Sequence, residues 1–421
     1  MKVKKNNKRV KTVLIFSLVV LGACQFRLRG QEGHPTEGDH KTVSYQIQLD
    51  TLWSDNNDSM CWFQPRAGVI PGRRPKIVMT VQRFIIGHSD VYEPLVYATS
   101  IDNGRSWSAP DDKEDAFYYQ KAAGGVYVGQ CDFTPKWHKY AKVLLGTGHT
   151  VHYKNRHLVR GLGRETVYSV FDAAAGAWSK ARTLKMPDDP VFYNSGAGAA
   201  QRVDLPDGDV LLPLYCKEKG TEQYHSTVVR CGFDGKNLTY KEHGNLLTVP
   251  IARGLYEPSL TCYNGTYYLT MRNDSSGYYA VSTDGLHFGR PKIWHFDTGK
   301  EVGSYNTQQH WVTHSDGLFL VYTRRAKNNT NVVRSRAPLF IAQVDTAKMV
   351  LLKQTEQIVI PNRGAPLGNF GVTEVGQDET WVTVAEGMRK TRLEQMKFGA
   401  NGNVFAGRIL WNKPNRDQSG R

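Results

Sequence analysis

The clearest indication of the fold class of this chain is the segment Ser100-Ile101-Asp102-Asn103-Gly104-Arg105-Ser106-Trp107. It fits the pattern S-x-D-x-G-x-[ST]-W, follows the predicted strand PLVYAT and precedes SAP. In such a turn the Asp carboxylate accepts bonds from backbone N–H groups, the Gly takes the positive-φ position, and the aromatic ring packs on the hairpin. We therefore interpret Asp102 as a structural residue and not as a catalytic one.

The same pattern recurs further along the chain. Residues 282–288 (STDGLHF) form a second copy, one residue shorter and with Phe in place of Trp, and residues 169–178 (SVFDAAAGAW) form a degenerate third copy. We interpret Asp284 as structural for the same reason as Asp102. A hairpin unit that recurs within one chain indicates an architecture of repeated sheets.

Short runs rich in β-branched and aromatic residues surround these copies. KIVMTVQRF, DVLLPLY, YYLTMRN and LFLVYTRR are such runs, and turns of the type DNG, PDGD and YNGT bound them. This alternation is typical of strands in a sandwich, barrel or propeller. Because about 380 residues divide into about six blades of roughly 60 residues each, the sequence predicts an all-β, six-bladed β-propeller over residues 44–415.

The charge of the chain limits the classes of partner. Its 54 Lys and Arg against 39 Asp and Glu give a net charge of +15, and six of the basic residues lie within the first eleven positions. Without these six the net charge is +9, a diffuse excess that suits an anionic sugar as well as nucleic acid. The body contains no dense Lys/Arg cluster and no nucleic-acid motif, so nucleic acid is not expected as a partner.

The N-terminal segment indicates export. A basic run precedes the 12-residue apolar stretch TVLIFSLVVLGA, which is too short to span a bilayer comfortably and typical of a signal peptide. The end Leu21-Gly22-Ala23-Cys24 resembles the lipobox of bacterial lipoproteins, which implies a lipid anchor on Cys24; the alternative is an ordinary secretory signal cleaved near Ala23. We predict a signal peptide at 1–23, a flexible tether at 24–43, and a protein secreted across the inner membrane and lipid-anchored in the periplasm or at the cell surface.

Cofactor motifs are missing from the sequence. There is no HExxH, no His/Cys ligand spacing, no GxGxxG and no P-loop, so neither a metal nor a nucleotide cofactor is expected. The six cysteines contain no CxxC pair, and the five that follow Cys24 are an odd number. At least one of them is therefore expected to be a free, buried thiol.

The order and spacing of the charged residues resemble those of the bacterial sialidase (neuraminidase) superfamily of six-bladed Asp-box (BNR) propellers. In that family three arginines bind the substrate carboxylate, an Asp is the acid/base, and a Tyr assisted by a Glu is the nucleophile. The resemblance implies that Arg66, in QPRAGVIPG, is the first arginine, although Ala-Gly stands where the family has Ile-Pro. Asp90, 24 residues later and 10 before the first Asp box, takes the position of the acid/base.

The remaining positions of the resemblance lie in the second half of the chain. Glu257 and Arg272, 15 residues apart, match the family's Glu and second Arg on adjacent strands. Arg336, in VVRSRAPLF, matches the third Arg, with Arg334 as the near competitor. Guanidinium groups suit a carboxylate because their planar fork gives two parallel N–H···O bonds.

The position of the nucleophile departs from the family pattern. The sequence there reads Gly368-Asn369-Phe370-Gly371, and Phe370 has no hydroxyl group. Tyr305 or Tyr256 is then expected to reach the site, or a carboxylate activates water with inversion, or the substrate is a different sugar. We take Asp90, Glu257 and Tyr305 as the predicted catalytic set.

Histidines near glycines and strand ends add a further possibility. His149, in GTGHTVHY, and His310, in NTQQHWVTH, are predicted to contact the substrate. The resemblance implies an exo-acting glycoside hydrolase that removes a terminal sialic acid or related acidic sugar from glycans. Two alternatives stay open: a uronate-specific lyase or glycosidase that uses His and Tyr, and a carbohydrate-binding propeller without turnover.

Overall fold

The computed structural model describes residues 42–55, 57–88, 90–110 and 115–416. The predicted signal peptide and the tether up to residue 41 lie outside the described residues. Within them, no helix is long and apolar enough to cross a membrane.

The strands of the described residues form six antiparallel sheets, which are the six blades predicted from the sequence. β1 (Tyr45–Ser54) precedes blade 1. Blade 1 contains β2 (Met60–Ile70), β3 (Lys76–Ile85) and β4 (Val96–Ser100). Blade 2 contains β5 (Gln120–Lys121), β6 (Tyr127–His138), β7 (Val143–Lys154), β8 (His157–Leu158), β9 (Thr166–Asp172), β10 (Ala177–Trp178) and β11 (Arg182–Thr183).

Blades 3 and 4 follow with the same up-and-down order. Their strands are β12 (Asn194–Gly196), β13 (Val203–Asp204), β14 (Val210–Lys217), β15 (His225–Phe233) and β16 (Leu238–His243), and then β17 (Tyr256–Tyr263), β18 (Thr266–Arg272), β19 (Gly277–Ser282) and β20 (Lys292–Ile293).

Blades 5 and 6 complete the ring. Their strands are β21 (His310–His314), β22 (Gly317–Tyr322), β23 (Leu339–Asp345), β24 (Val350–Leu351) and β25 (Gln357–Ile360), and then β26 (Gly371–Glu374), β27 (Glu379–Ala385) and β28 (Asn403–Trp411). The only α-helix in the described residues is α1 (Arg392–Lys397), and single 3₁₀ turns lie at Asp115–Phe117, Ala123–Gly125, Pro190–Phe192, Val333–Ser335 and Lys353–Thr355.

The N-terminal strand closes the ring. β1 pairs with β28, so that the order in blade 6 is β1-β28-β27-β26 and Tyr45 lies opposite Trp411. Val43, just before β1, donates its backbone N–H to the side chain of Gln343 in blade 5. Both ends of the ring are therefore held in one sheet, blade 6, with β1 as its outer strand.

The axis of the ring is lined by β2, β6, β17, β21 and β26, and in blade 3 by residues 200–203. Residues of all six blades line a central cavity of about 110 Å³, among them Gly68, Thr134, Gln201, Thr261 and Val372. The apolar cores lie between neighbouring sheets, where Trp294, Trp311 and Trp381 are each 1% exposed. Burying a large apolar side chain stabilises the fold by about 1.5–3 kcal/mol, so these inter-blade layers hold the ring together.

The Asp boxes are the structural turns that the sequence predicts. Asp102 Oδ1 accepts the backbone N–H of Ser106 at 3.0 Å, and Trp107 Nε1 donates to the carbonyl of Gly104 at 3.1 Å. The bonds from Ser106 lower the pKa of Asp102 to about 2. In the second copy Asp284 accepts two backbone N–H groups, from Leu286 at 2.9 Å and from His287 at 2.7 Å.

The glycine of the first Asp box allows a direct test of this turn. Gly104 has φ +79°, and a Cβ there would lie 2.4 Å from the ring of Trp381. We expect Gly104→Ala to lower the free energy of unfolding by about 3 kcal/mol, because the clash adds to the left-handed backbone conformation. Gly265→Ala is the matched control, since Gly265 has φ +75° but open space around it, and about 1 kcal/mol is expected. Urea unfolding of both variants checks the difference; equal losses would contradict the packing role of Gly104.

Candidate active site

Irregularities at the same end of the inner strands shape the mouth of the ring. The pairing register shifts between Phe63 and Arg66 in β2, between Cys131 and Thr134 in β6, and between Tyr256 and Ser259 in β17. Within each shift lies one non-glycine residue with positive φ: Gln64 at 54°, Asp132 at 53° and Glu257 at 46°. A β-bulge re-aims side chains, and a left-handed non-glycine residue costs about 1–3 kcal/mol, so such a repetition points to a functional site.

Arg66 lies at the first of these bulges and is almost completely buried, with 1% of its surface exposed. Its Nη2 donates to Asp132 Oδ1 at 2.9 Å and to Gln308 Oε1 at 3.2 Å. Its Nε and Nη1 are buried and have no hydrogen-bond partner among the described residues. Arg66 therefore keeps unused donors in a place without water contact, which costs free energy unless a ligand accepts them.

Arg272 forms a tight pair with Glu257 across β17 and β18. Its Nη1 lies 2.6 Å and 2.7 Å from the two carboxylate oxygens, and its Nη2 donates to Asn306 Oδ1. The guanidinium carbon lies 4.7 Å from the ring centroid of Tyr256. The predicted pair Glu257 and Arg272 is thus in direct contact.

Arg336 joins Arg272 at the same asparagine. Its Nε and Nη2 donate to the backbone carbonyl of Asn306 at 3.2 Å and 2.6 Å. Arg336 is 7% exposed, whereas its sequence competitor Arg334 is exposed to solvent. The structure therefore brings Arg336, and not Arg334, to Arg272.

The segment 368–371 lies between Arg336 and Arg66. A Cβ on Gly368 would lie 2.5 Å from Arg336 Cδ, and a Cβ on Gly371 would lie 2.9 Å from Arg66 Cγ. Gln308, which accepts from Arg66, donates to the carbonyl of Gly368 at 2.9 Å. The three predicted arginines are therefore gathered around Asn306, Gln308 and this glycine segment.

The charges of this cluster are not balanced. Arg66 pairs with Asp132 and Arg272 pairs with Glu257, but among the described residues no carboxylate lies within 4.0 Å of Arg336. Burial, together with the charges of Arg272 and Arg334, lowers the pKa of Arg336 to about 9. A buried cation beside other cations is unfavourable on its own, and an anionic ligand would relieve it.

Asp132 connects the arginines to His149. Burial raises the pKa of the Asp132 carboxyl, but the charge of Arg66 and the contact with His149 outweigh it, so the pKa lies well below its usual range. His149 Nε2 lies 3.5 Å from Asp132 Oδ2, and its Nδ1 lies 2.9 Å from the carbonyl oxygen of Thr150. The structure thus places His149 beside the arginine cluster.

Cys131, Asp132 and His149 each offer one potential metal-ligand atom, and these atoms lie within 4.8 Å of one another. Asp132 is already paired with Arg66, and burial raises the pKa of the Cys131 thiol well above its usual value. A cation there would lie next to a buried guanidinium group. The charge distribution therefore favours an anion at this mouth over a metal ion.

Asp90 lies on the exposed rim, on the blade-1 side. Its backbone has φ +55°, its carboxylate accepts the hydroxyl of Tyr92 at 3.3 Å, and its carbonyl accepts the hydroxyl of Tyr153 at 3.1 Å. Tyr92 stacks on Phe63, which begins the bulge that carries Arg66. Burial, then the charges of Asp90 and Asp132, raise the pKa of Tyr92 well above its usual value.

Phe370 and the tyrosines near the arginine cluster differ in the residues that they contact. Phe370 is fully buried and contacts His310 edge-to-face at 4.9 Å. The ring of Tyr305 packs on Arg325 at 3.8 Å, and no described contact joins its hydroxyl to Glu257. The hydroxyl of Tyr256 donates to Asp274 at 2.5 Å. Tyr215, which the sequence did not single out, contacts His149 edge-to-face at 6.2 Å.

His310 lies behind the arginines and not at the surface. It is 2% exposed, and its Nδ1 lies 2.7 Å from Ser259 Oγ. Burial, followed by the charge of Arg66, lowers its pKa to about 3. His310 is thus a neutral residue of the wall at physiological pH.

The buried His310 predicts a pH dependence of stability. The folded protein keeps the ring neutral between about pH 3 and pH 6.5, whereas the unfolded chain binds a proton there, so stability falls as the pH falls through this window. We expect this residue to account for a loss of about 2 kcal/mol between pH 7 and pH 5. Urea unfolding of wild type and His310→Gln at both pH values checks it. An identical pH-dependent loss in the two proteins would contradict the assignment.

Several residues of the cluster were missed by sequence reasoning. Asn306 and Gln308 hold the arginines, Asp132 neutralises one of them, and Arg164 contacts Tyr215. Asn306 and Gln308 stand in the polar run Tyr305-Asn306-Thr307-Gln308-Gln309 directly before a strand, a signal that was available in the sequence. For Asp132 the only signal in the sequence was a charged residue inside the strand GQCDFTP, where burial of a carboxylate costs free energy.

Comparisons with known proteins agree on the fold. No protein-family model and no curated protein sequence matches this chain. A crystal structure of a protein of unknown function from Dyadobacter fermentans matches with a TM-score of 0.62 at 12% identity, over 87% of this chain and 99% of that one. Trypanosoma rangeli sialidase with the inhibitor DANA matches with a TM-score of 0.58 at 14% identity, over 86% of this chain and 59% of that one.

A bacterial enzyme gives the same result. The NanB sialidase of Streptococcus pneumoniae matches with a TM-score of 0.58 at 9% identity, over 86% of this chain and 70% of that one. This chain thus spans about three fifths of the length of the trypanosomal sialidase, which has also been solved with sialic acid. At such identities the likeness shows the fold alone, and it confirms the predicted all-β, six-bladed β-propeller of the sialidase type.

Proposed function

We propose that this protein is an extracytoplasmic glycoside hydrolase that removes a terminal acidic sugar, a sialic acid or a related sugar acid, from glycans. The observation that carries this function is the cluster of Arg66, Arg272 and Arg336, in which one buried guanidinium has no carboxylate partner and another has unused donors. A sugar carboxylate supplies the missing negative charge and accepts the free N–H groups. The fold shared with sialidases supports the same substrate class.

The proposed catalytic roles follow from the charges of the groups beside the arginines. Asp90, on the open rim, donates a proton to the leaving oxygen, since an exposed carboxyl can reach a bound glycan and exchange protons with water. Glu257, which pairs with Arg272 in the arginine cluster, is the base. Phe370 has no hydroxyl, the hydroxyl of Tyr256 is bound to Asp274, and the ring of Tyr305 packs on Arg325. We therefore infer that Glu257 activates water directly in place of the expected nucleophile Tyr305, and that the anomeric configuration inverts.

A second candidate function rests on a different pair of residues. His149 and Tyr215 are in contact beside Asp132 and Arg164, and a base, a phenol and a neutralising cation are the groups that abstract a proton next to a uronate carboxylate. This arrangement favours a uronate lyase as the alternative. A propeller that binds acidic glycans without turnover is the third possibility and keeps the same arginine cluster.

Product analysis separates these functions. Purified protein is incubated with aryl sialosides, aryl uronides and a polyuronate, and free sugar, reducing ends and the ultraviolet absorbance of unsaturated uronate are measured. Release of a saturated acidic sugar supports the hydrolase, and its initial anomer, read by NMR, is expected to be inverted. Unsaturated product supports the lyase instead, and binding without any product over hours contradicts both enzymes.

The cellular location is part of this proposal. We propose that the N-terminal segment exports the protein and that Cys24 anchors it by a lipid. An enzyme that acts on glycans outside the cytoplasm needs such a route. Metabolic labelling with a fatty acid, in the wild type and in Cys24→Ser, tests the anchor; equal labelling of both contradicts it.

A further inference from the structure

A group of basic residues on blades 2 and 3 lies beside the arginine cluster and extends its positive charge. Arg164 lies two residues before Thr166 of β9, which pairs with His149, and Lys217 lies two residues after Tyr215 of β14, which contacts His149. Because β9 begins and β14 ends beside the same histidine, Arg164 and Lys217 lie on the side of the ring that holds the arginine cluster. We call Arg164, Lys217 and Lys219 the basic rim.

Each cation of the basic rim lies against a tyrosine ring. The guanidinium carbon of Arg164 lies 6.0 Å from the ring centroid of Tyr215, and its Nη1 donates to the Tyr215 hydroxyl at 3.1 Å. Lys217 Nζ lies 4.8 Å from the centroid of Tyr224 and Lys219 Nζ lies 5.6 Å from that of Tyr193. A cation held on an aromatic face is oriented without a carboxylate and keeps its charge available.

The tyrosines connect the basic rim to the site. Tyr215, Tyr224 and Tyr256 pack on one another, with ring centroids 5.4 Å to 6.3 Å apart, and Tyr256 lies under Arg272. On the other side, the exposed Tyr193 donates its hydroxyl to Gly161, on the segment that leads into Arg164. An aromatic layer therefore extends from the arginine cluster to Lys217, and Tyr193 with Lys219 lies beside it on the segment that leads into Arg164.

The positive charge of the basic rim is not neutralised in the protein. Among the described residues no carboxylate lies within 4.0 Å of Arg164, Lys217 or Lys219, although Glu165 and Glu218 are neighbours in sequence. Arg230, Arg253 and Arg324, by contrast, each have a carboxylate within 2.8 Å. Unpaired cations in a row beside an anion site are suited to a ligand with several negative charges.

We propose that the basic rim binds further acidic residues of a chain whose terminal acidic sugar occupies the arginine cluster, so that the substrate is a polyanionic glycan and not a neutral glycan with a single acidic cap. This inference rests on the proposed function for the position of the terminal sugar. The basic rim adds affinity for each further acidic unit and gives the chain a direction, from the mouth towards blade 3.

Binding to defined oligosaccharides tests the basic rim without turnover. The probes are sialic acid, galacturonate and a galacturonate hexamer, and the wild type is compared by calorimetric titration with the double variant Lys217→Gln/Lys219→Gln, which leaves Arg164 beside Tyr215 in place. We expect the wild type to bind the hexamer at least about tenfold more tightly than galacturonate, and the double variant to lose this advantage while its affinity for the monosaccharides is unchanged.

A matched control separates a site from a general charge effect. Arg105→Gln/Lys236→Gln removes the same charge from exposed positions that follow the C-terminal ends of β4 and β15, and it is expected to bind the hexamer like the wild type. An equal loss in this control, or equally tight binding of single-stranded DNA and its equal loss in the double variant, overturns the proposal in favour of a non-specific polyelectrolyte surface. Equal affinities of the wild type for monomer and hexamer overturn it as well.

The same titrations distinguish this proposal from the proposed function. Arg336→Met is expected to lose its affinity for the monomer and to keep the part of the hexamer affinity that the basic rim supplies. If the wild type binds no acidic monosaccharide but the hexamer still depends on the basic rim, the arginine cluster is wrongly assigned and the basic rim is not. If monomer binding depends on Arg336 and hexamer binding does not depend on the basic rim, the arginine cluster is correctly assigned and the proposal for the basic rim is wrong.

Discussion

Arg272→Met is expected to lower kcat/KM on an acidic sugar substrate by at least about 100-fold, because truncation of one partner of a buried, hydrogen-bonded charge pair costs about 2–5 kcal/mol. Arg272 is 9% exposed and holds both oxygens of Glu257, so its loss removes a substrate ligand and frees the base from its orientation. Steady-state kinetics on the substrate identified by product analysis measures the effect.

Stability separates the structural part of this effect from the chemical part. In Arg272→Met the carboxylate of Glu257 stays behind without its cation, and we expect a loss of about 2–3 kcal/mol, less than for a fully buried pair because the Glu257 side chain is 19% exposed. The double variant Arg272→Met/Glu257→Gln removes both charges. It should regain most of the stability and none of the activity.

A different outcome would reject the site. If the double variant turns over substrate at the wild-type rate, neither residue takes part in the chemistry. If activity returns together with stability in the double variant, the pair only supports the fold.

Arg336→Met gives the second large effect, on affinity for the acid. Arg336 is a buried cation whose nearest acceptor is a backbone carbonyl, so its charge contributes little to the fold and is available to a ligand. We expect the affinity for an acidic monosaccharide to fall by about 100-fold, as for a charge-assisted bond in a desolvated site. The free energy of unfolding is expected to change by less than about 1 kcal/mol, because removal of an uncompensated buried charge offsets the lost bonds.

Arg334→Met is the matched control for this variant. Arg334 lies two residues before Arg336 and is exposed. Arg334→Met therefore makes the same substitution and the same change of net charge as Arg336→Met, and it leaves the contacts of Asn306 intact. Its affinity for the acid is expected to stay within about twofold of the wild type, since exposed charges are screened. Titration and thermal unfolding of both variants measure the two effects. A large loss of stability in Arg336→Met would show a structural role for Arg336 instead.

The Asp box illustrates how much of the fold is local in origin. Ser100, Asp102, Gly104 and Trp107 form their turn through bonds within eight residues, and the sequence pattern therefore predicts it directly. The short strands between such turns then predict repeated sheets, and the chain length predicts six of them. β1 in blade 6 is different, because the residues that it pairs with in β28 lie 349 to 366 positions further along the chain, and no local sequence pattern predicts this pairing.

The candidate site divides in the same way. The resemblance to the sialidase family singled out Arg66, Glu257, Arg272 and Arg336, through the order and spacing of these charged residues along the chain. The structure brings the arginines together, and it also separates Arg336 from Arg334, which differ in exposure and not in any property of the sequence.

By itself the sequence determined the strand class, the turn chemistry and the residue types able to bind an acid, since these depend on neighbours along the chain. Only the tertiary structure decided that Asn306 joins Arg272 to Arg336, that Asp132 neutralises Arg66, and that the cations of the basic rim lie on tyrosines of blade 3. Those contacts join residues that are 30 to 66 positions apart in the sequence, and their energies depend on burial and mutual distance, which no segment of the chain specifies on its own.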